Sequence, residues 1–309
     1  MKRTYYVMQN DEKRICRIAY DKETDGSFAI DYANGLDNLS CFARKDNLLI
    51  VSANRCISSF NLNDGNMELV SQAEDFDSDI SNVCISNNGR HLYALEYETG
   101  NLWICDIEEE GVMAKLRQAN AENESQDTQS FRFSFMTTTP DDGYLLGIDP
   151  EKEGINMMKL DESGDVAVRG FIPAEQGFAP RHMHFSDDGK HLYADCGEAY
   201  HILIYEYDEG TLTLINDRAL WPDLPECVGV DVMDNVLFVG HRGNSYNALE
   251  AYDITKPCEP KLIDVCICVD ACQSFKTLED GYICLISQSN GNIKIIRFAD
   301  GRFMNTFQI

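Results

Sequence analysis

The stretch APRHMHFSDDGKHLYADCGE, residues 179–198, decides the fold. Apolar and polar residues alternate on both sides of Asp188-Gly189, and a period of two is typical of a β-strand with one buried face. An Asp-Gly pair between two such runs is a strong signal for a tight hairpin turn. The stretch therefore predicts a β-hairpin.

The same pattern recurs along the chain. A polar turn residue followed by an apolar run stands at Asp46, Asn88, Asp142, Asp188, Asp234 and Asp280. The intervals between these residues are 42, 54, 46, 46 and 46. Each run is followed by a second alternating run, and TYYVMQ with RICRIAYD supplies one further unit near the N-terminus. No segment shows a sustained helical period, so the chain is expected to be all-β.

Seven repeats of this length predict a seven-bladed β-propeller of four-stranded antiparallel blades. A single hairpin cannot bury its apolar face, whereas radially arranged repeats cover one another. We expect a single domain over residues 1–309, and the polar stretch 118–130 predicts an extended loop between the third and fourth blades. The blades are placed at roughly 4–34, 36–72, 80–117, 131–171, 178–218, 226–263 and 272–309.

Composition and charge limit the partners. The 309 residues include 52 acidic and 26 basic side chains, a formal net charge of -26, which repels nucleic acid and anionic membrane surfaces. Neither is expected as a partner. The first residues show no signal-peptide pattern, and no apolar run has the length of a membrane helix. We therefore expect a soluble, cytoplasmic protein.

The twelve cysteines lie scattered in alternating runs, which is typical of small buried apolar residues in a reducing compartment. The tightest group is Cys258, Cys266, Cys268 and Cys272. Cys266 and Cys268 share a strand face because they are two residues apart, and they cannot form the Cys-x-x-Cys knuckle of structural zinc. No metal ion or cofactor is predicted.

Three stretches resemble the lactonase family of propellers, which includes bacterial 6-phosphogluconolactonases and fungal carboxy-cis,cis-muconate cyclases. They are TYYVMQN with ICRIAYDKETDGSF, GFAPRHMHFSDDGKHLYADCGEAYHILIYEYDEGTLTL, and LFVGHRGNSYNALEAYDI. The resemblance is most specific at Pro180-Arg181-His182 and at Arg242-Gly243. It implies an enzyme that adds water to an anionic sugar-acid lactone in the axial pocket.

The resemblance also implies which residues line that pocket. Arg181 corresponds to the arginine of the family's Gly-Pro-Arg-His segment, and Arg242 to that of its Ser-Asn-Arg-Gly segment. A family histidine would fall within residues 132–134, where this chain has none. The family's Asn-Glu-Leu segment aligns with Cys196-Gly197-Glu198, so the carboxylate stands one position late.

The repeat itself points to one rim of the propeller, where apolar strands give way to polar residues. Guanidinium groups suit a carboxylate or phosphate because they donate through a bidentate fork. The predicted substrate-binding residues are Arg181, Arg242, Arg132, Glu96 and Gln288. The alternative is that Arg181 and Arg242 tie neighbouring blades together by ion pairs with acidic residues.

Lactone hydrolysis needs a base for the attacking water and donors for the oxyanion. The candidates for proton transfer are His182, His241 and Glu198. We expect His184 to be structural and Cys196 to be an inert thiol. Because the histidine is missing and the glutamate is shifted, the alternative function is a catalytically degenerate propeller that binds a small anionic ligand or a protein partner.

Overall fold

A computed structural model provides the structure of the chain. It describes residues 2–9, 14–21, 28–32, 38–63, 66–74, 76–96, 98–119, 131–199, 201–219, 226–243, 247–268, 272–287 and 293–308. Most of the predicted loop at 118–130, and Gln288, lie outside these residues.

Strands dominate the described residues. In chain order they are β1 (Lys2–Gln9), β2 (Arg14–Asp21), β3 (Phe28–Tyr32), β4 (Leu39–Lys45), β5 (Leu48–Ala53), β6 (Cys56–Asn63), β7 (Asn66–Ala73), β8 (Ile80–Ile85), β9 (His91–Glu96), β10 (Leu102–Ile107), β11 (Met113–Gln118), β12 (Phe135–Thr138), β13 (Tyr144–Asp149), β14 (Gly154–Leu160), β15 (Val166–Pro173), β16 (His182–Phe185), β17 (His191–Asp195), β18 (His201–Asp208), β19 (Thr211–Ala219), β20 (Glu226–Met233), β21 (Val236–Arg242), β22 (Ala248–Asp253), β23 (Lys261–Ile267), β24 (Cys272–Thr277), β25 (Tyr282–Ser287), β26 (Ile293–Ala299) and β27 (Arg302–Gln308).

Short 3-10 helices stand at Glu109–Gly111, Gly197–Ala199 and Glu279–Gly281. In the part of the chain that the structure covers, no helix is long and apolar enough to cross a membrane.

Consecutive strands pair into sheets. The described strands make one sheet of three, β1–β3, and six sheets of four, β4–β7, β8–β11, β12–β15, β16–β19, β20–β23 and β24–β27. The chain divides into two compact units, Met1–Asp149 with Asn156–Ile172, and Pro150–Ile155 with Pro173–Ile309. The prediction of one domain over residues 1–309 stays a prediction.

Three of the repeated turns, those that follow β8, β12 and β16, share a hydrogen-bond pattern. In the quoted stretch, Ser186 Oγ donates to Asp188 Oδ1 at 2.6 Å, and the same carboxylate oxygen accepts the Lys190 N–H at 3.1 Å. Gly189 has φ +71°, in the left-handed region that glycine adopts without strain. The turn joins β16 to β17, which pair antiparallel with His182 opposite Asp195. The predicted hairpin is confirmed.

First strands of successive sheets lie next to each other. In the first unit β4 contacts β8, and β8 contacts β12. In the second unit β16 contacts β20, and β20 contacts β24. Apolar side chains on the later strands fill the space between sheets; Tyr193, Ile202 and Leu237, for example, belong to one buried cluster. Polar side chains on the neighbouring first strands are thus brought within reach of one another.

Candidate active site

Arg181 and Arg242 meet at one carboxylate in the second unit. Arg181 immediately precedes β16, and Arg242 ends β21. Glu226, the first residue of β20, is the cross-strand partner of Arg242. Its Oε1 accepts a hydrogen bond from Nη1 of Arg181, and its Oε2 accepts one from Nη2 of Arg242 at 2.6 Å. The two arginines therefore meet at Glu226, and they form ion pairs with an acidic residue of the kind given as the alternative; their predicted role in substrate binding stays a prediction.

The charge of Glu226 is fixed by its neighbours. Partial burial would raise the pKa of its carboxyl group, but the guanidinium groups of Arg242 and Arg181 outweigh that effect and lower the pKa. The carboxylate is ionised at neutral pH. Together the three side chains carry one net positive charge. About a quarter of the Arg242 side chain and two fifths of the Arg181 side chain remain exposed, so the guanidinium groups can be approached from solvent.

Glu226 was missed by the sequence reasoning. A regular hairpin register drawn from the Asp234-Asn235 turn, with Met233 opposite Val236, would place Cys227 opposite Arg242. A β-bulge between Cys227 and Gly229 shifts the register of this pairing by one residue. Because the bulge is not visible in the sequence, the sequence does not show which residue of β20 faces Arg242.

Gly197 makes room for Arg181. A β-carbon on Gly197 would lie 2.5 Å from both Cδ and Nε of Arg181, closer than non-bonded atoms can approach. The backbone of Gly197 has φ +50°. In the alignment with the family's Asn-Glu-Leu segment, Gly197 stands in the place of the glutamate. The Arg181 side chain occupies the space that the β-carbon of a residue at this position would need. Glu198 lies in the short 3-10 helix Gly197–Ala199, and the placement of its side chain is outside the described structure.

His182 forms a hydrogen-bonded pair with Asp195. Its Nδ1 lies 2.9 Å from Oδ2 of Asp195, across the β16–β17 pairing. Asp195 is fully buried, and its Oδ1 accepts the Gly197 N–H at 3.1 Å. The His182 side chain is 41% exposed, which is enough to reach a water molecule. Burial alone would lower the pKa of the imidazole, but the hydrogen bond and charge of Asp195 outweigh it and raise the pKa.

His182 is joined to the arginines through the backbone. The Arg181 N–H donates to the Asp195 carbonyl oxygen at 2.8 Å, and Arg181 directly precedes His182. Asp195, Gly197, Arg181 and His182 therefore form one connected unit at the start of the β16–β17 hairpin. Asp195 is a further residue that the sequence reasoning did not single out.

His241 does not belong to this site. Its ring is fully buried, and its Nε2 lies 3.2 Å from Oε2 of the buried Glu250, which also accepts the Tyr252 hydroxyl at 2.5 Å. Side chains of adjacent strand residues point to opposite faces of a sheet, so His241 points away from the face of Arg242. The prediction that His241 handles protons for a substrate is corrected: without solvent access, the imidazole has no path to one.

Glu96 is fully buried in the other unit. Its Oε1 accepts the Asp77 N–H at 2.8 Å, and its Oε2 accepts the Thr99 hydroxyl at 2.5 Å and the Asn101 side-chain amide at 2.9 Å. A carboxylate with these donors holds the loop that follows β9, and the contacts do not support the predicted substrate binding. Arg132 is partly exposed in the segment before β12, between the buried side chains of Phe131 and Phe133. Its role stays a prediction.

A second histidine–carboxylate pair joins the first strands of three successive sheets. His184 on β16 places Nε2 2.9 Å from Oδ1 of Asp231 on β20. Lys276 on β24 approaches the same carboxylate at 3.0 Å, and the N–H of Thr277 donates to it at 2.8 Å. Burial lowers the pKa of His184, and the charge of Asp231 only partly opposes this. These contacts agree with the structural role expected for His184.

Two other kinds of reactive site were considered, a cysteine nucleophile and a metal centre. Cys196 is buried, and burial raises the pKa of its thiol to about 12, which leaves no thiolate near neutral pH. Among the residues with described positions, no group of three or more His, Cys, Asp or Glu side chains is arranged to hold a metal ion.

Comparison with known proteins identifies the family. The sequence matches the family model described as a lactonase with a seven-bladed β-propeller fold over residues 4–297. The chain belongs to this lactonase family. The predicted fold class, an all-β propeller of four-stranded antiparallel blades, is confirmed, with three strands described in the first sheet.

Two solved structures show the same fold. The periplasmic gluconolactonase of Pseudomonas aeruginosa aligns at 16% identity with a TM-score of 0.79, over 100% of this chain and 96% of that one. A Bacteroides fragilis protein provisionally assigned as a 6-phosphogluconolactonase aligns at 14% identity with a TM-score of 0.79, over 100% and 94% of the two chains.

Relatives detected by sequence are uncharacterised proteins of staphylococci. An uncharacterised protein of Staphylococcus epidermidis is 26% identical over 213 residues, and one of Staphylococcus saprophyticus is 24% identical over 178 residues. The matched regions cover 64% and 54% of this chain and 61% and 51% of those proteins. Both are described only as uncharacterised proteins.

Proposed function

We propose that the protein is a lactone hydrolase that opens a sugar-acid lactone at the site formed by Arg181, Arg242 and His182. The observation that carries the proposal is the convergence of two guanidinium groups beside the partly exposed His182, which is paired with the buried Asp195, in a chain of the lactonase family. The gluconolactonase fold neighbour supports the same reaction class. Fold alone does not assign chemistry, so the site residues are the basis of the assignment.

His182 supplies the base in this mechanism. Its imidazole takes a proton from water while the water oxygen bonds to the lactone carbonyl carbon. Asp195 orients the ring through Nδ1 and stabilises the imidazolium that forms. The imidazolium then gives the proton to the ring oxygen as the acyl C–O bond breaks. One lactone and one water yield one hydroxy acid.

Arg181 and Arg242 stabilise the charge that develops on the carbonyl oxygen. Donors that are already in place before the reaction stabilise an oxyanion without reorganisation. Glu226 holds both guanidinium groups in place. Its negative charge cancels one of their two positive charges, so the three side chains together carry one net positive charge. A single negative charge, such as the oxyanion, matches that net charge.

The charge of the substrate follows from the net charge of these three side chains. We assign an anionic sugar-acid lactone as substrate, because the net positive charge that stabilises the oxyanion also attracts, through space, an anionic group elsewhere on the same molecule. Glu226 repels that group and therefore limits how much negative charge the site accepts. A location in the cytoplasm, and the exclusion of nucleic acid and membrane surfaces as partners, stay predictions.

A second candidate is a catalytically degenerate propeller. Both arginines already hydrogen-bond Glu226, and no histidine stands within residues 132–134. A non-catalytic protein would bind a small anionic ligand at the arginines, or a protein partner.

Hydrolysis assays separate the two candidates. Proton release from glucono-δ-lactone and from its 6-phosphate is measured against spontaneous opening, for the wild type and for Arg242→Ala. We expect catalysis by the wild type and a loss of about 100-fold or more in kcat/KM for the variant. Arg117→Ala is the matched control, because Arg117 also joins two carboxylates, Asp106 and Asp165, in the other unit.

Two results would reject the proposal. One is the absence of turnover of either lactone, together with thermal stabilisation by gluconate, which supports the binding protein. The other is equal activity of Arg242→Ala and Arg117→Ala, which removes the arginine pair from the reaction.

A further inference from the structure

A cavity of about 260 Å³ lies between the sheets β4–β7 and β8–β11 of the first unit. Its walls come from the β4–β5 turn at 45–48, from Asn61 on β6, from the β8–β9 turn at 88–89, and from residues 107–111. All of these residues belong to the other unit from Arg181 and Arg242. The volume is that of roughly nine water molecules, which is enough for one small organic molecule.

The next pair of sheets shows how such a space can be closed. There the carboxylate of Asp142, in the β12–β13 turn, accepts the N–H groups of Asn87 and Asn88 in the β8–β9 turn, at 2.6 and 2.7 Å. Gly89 occupies the place of Asp142 in its own turn, since the hydrogen bonds across the two turns match and φ is positive at both, +72° and +54°. Because Gly89 has no side chain, it sends no carboxylate towards the β4–β5 turn, and the space stays open.

Two polar groups inside the cavity have no partner among the described residues. Oδ1 of Asn61 is buried and accepts no hydrogen bond. Lys45 is only partly exposed, and it makes no ion pair within the described part of the chain. Its Cδ lies 3.9 Å from the position that a β-carbon on Gly89 would take. A buried acceptor and a partly buried cation without partners are unfavourable, and a ligand that brings a donor and an anion satisfies both.

The rim of the cavity carries the opposite charge. It is lined by the exposed carboxylates of Asp46, Glu108 and Glu110. These three carboxylates repel a ligand that is only anionic, and a ligand that is only cationic leaves Lys45 without a partner. A zwitterion complements both charges at once.

We propose that the cavity binds a free α-amino acid with an aliphatic side chain. The α-carboxylate pairs with the Lys45 ammonium group, and the α-ammonium group donates to Oδ1 of Asn61 and to a carboxylate of the rim. The side chain packs against Leu48 and Ile107, which supply apolar wall. Leucine, with about nine non-hydrogen atoms, is of the size that the cavity holds.

Binding of L-leucine and of two derivatives tests the proposal on the full-length protein. N-acetyl-L-leucine lacks the ammonium charge, and L-leucinamide lacks the carboxylate. We expect a Kd between about 10 μM and 1 mM for L-leucine, as for a well-bound ligand of this size. Each derivative should bind about tenfold more weakly, because each leaves one charged group of the cavity without a partner. Isothermal titration calorimetry measures all three, with D-glucose as the uncharged probe.

The variant Gly89→Asp locates the site. It introduces the carboxylate that Asp142 has at the same place in its turn, beside Lys45, and it should abolish binding of L-leucine. Gly189→Asp is the matched control, because it makes the same exchange in the β16–β17 turn, where φ is +71°. Thermal melting checks that both variants are folded, and only Gly89→Asp should lose the ligand.

Lys45→Met tests which end of the ligand Lys45 holds. It should weaken L-leucine about tenfold and should not weaken L-leucinamide, which has no carboxylate to lose. Lys115→Met, at a lysine of the same unit that is 74% exposed and paired with Asp106, is the control with no expected change.

Four results would overturn the proposal. L-leucine shows no binding up to about 10 mM; D-glucose or a derivative binds as tightly as L-leucine; Gly89→Asp and Gly189→Asp bind L-leucine equally; or Arg242→Ala abolishes the binding, which would put L-leucine at the arginine pair.

Discussion

The Arg181 side chain lies directly over the backbone of Gly197, and a β-carbon at Gly197 would approach Cδ and Nε of Arg181 to 2.5 Å. Gly197→Ala should therefore displace Arg181 from Glu226. We expect kcat/KM for lactone hydrolysis to fall by about tenfold to 100-fold, because small misplacements of a charge-stabilising group have effects of that order. Steady-state kinetics of the purified variant measures it.

Gly177→Ala is the matched control for that prediction. Gly177 also has a positive φ, +89°, but a β-carbon there would meet no atom within 4 Å. Both variants place alanine in the left-handed region and should lose about 1–2 kcal/mol of stability. Only Gly197→Ala should lose activity. Equal activity of the two variants would show that catalysis does not depend on the position of the Arg181 side chain over Gly197.

The His182–Asp195 pair predicts the pH dependence of the reaction. His182 acts as a base only when its imidazole is neutral, so kcat/KM should rise with pH through the raised pKa of His182. Asp195→Asn removes the charge that raises this pKa, and the rising limb should move to lower pH while the plateau falls by about 100-fold. The pH profile of kcat/KM is the measurement. His184→Gln, which alters the other histidine of β16, should leave the limb in place, and a shift in that control would mean that the limb belongs to His184.

The His182–Asp195 pair also contributes to the stability of the fold, and the direction in which this contribution changes with pH can be predicted. Because the folded-state pKa of His182 lies above its unfolded value, the pair stabilises the fold below the unfolded value of about 6.5, and this contribution disappears as pH rises through the folded pKa. Urea unfolding is measured for wild type and Asp195→Asn at several pH values. The difference between their unfolding midpoints should become smaller above neutral pH. A gap that widens with pH would contradict the assignment.

Glu226 should set the charge preference of the substrate. Glu226→Gln keeps the shape of the side chain and adds one unit of net positive charge to the arginine pair. An anionic group near the arginines then gains about 1 kcal/mol at the effective dielectric of a partly exposed site, so the ratio of kcat/KM for the 6-phosphate to that for glucono-δ-lactone should rise by about five- to tenfold. Competition between the two lactones measures the ratio directly. An unchanged ratio would place the phosphate away from Glu226.

The sequence predicts the repeats, the hairpins and the meeting of Arg181 with Arg242. Strand alternation was sufficient to separate His241 from Arg242, since the two residues are adjacent and their side chains point to opposite faces of the sheet. The partners Glu226, Asp195 and Asp231 were missed. Their identity depends on register, on the bulge at Cys227 and Gly229, and on which blades are neighbours, and these are properties of long-range packing that a local pattern does not encode.

Asp231 ties β16, β20 and β24 together, and its removal should destabilise the fold. Its side chain is 4% exposed, and its carboxylate has His184, Lys276 and Thr277 as partners. Asp231→Asn should reduce the free energy of unfolding by about 2–3 kcal/mol at pH 7, because a buried network loses its charge-assisted hydrogen bonds. Guanidinium chloride unfolding measures the loss, and Asp208→Asn, on an exposed position of β18, is the control with no expected change.

The pH dependence of the stability lost in Asp231→Asn shows how much of that loss is due to the charge of the carboxylate. Burial would raise the pKa of Asp231, but Lys276 and His184 outweigh it, so the folded-state pKa lies below the unfolded value. The ionised carboxylate therefore stabilises the fold above the unfolded pKa, and this contribution is lost as pH falls through the folded pKa, below about pH 4. The difference between wild type and Asp231→Asn should shrink over that range. A difference that stays constant down to pH 2–3 would mean that Asp231 acts through shape and neutral hydrogen bonds rather than through its charge.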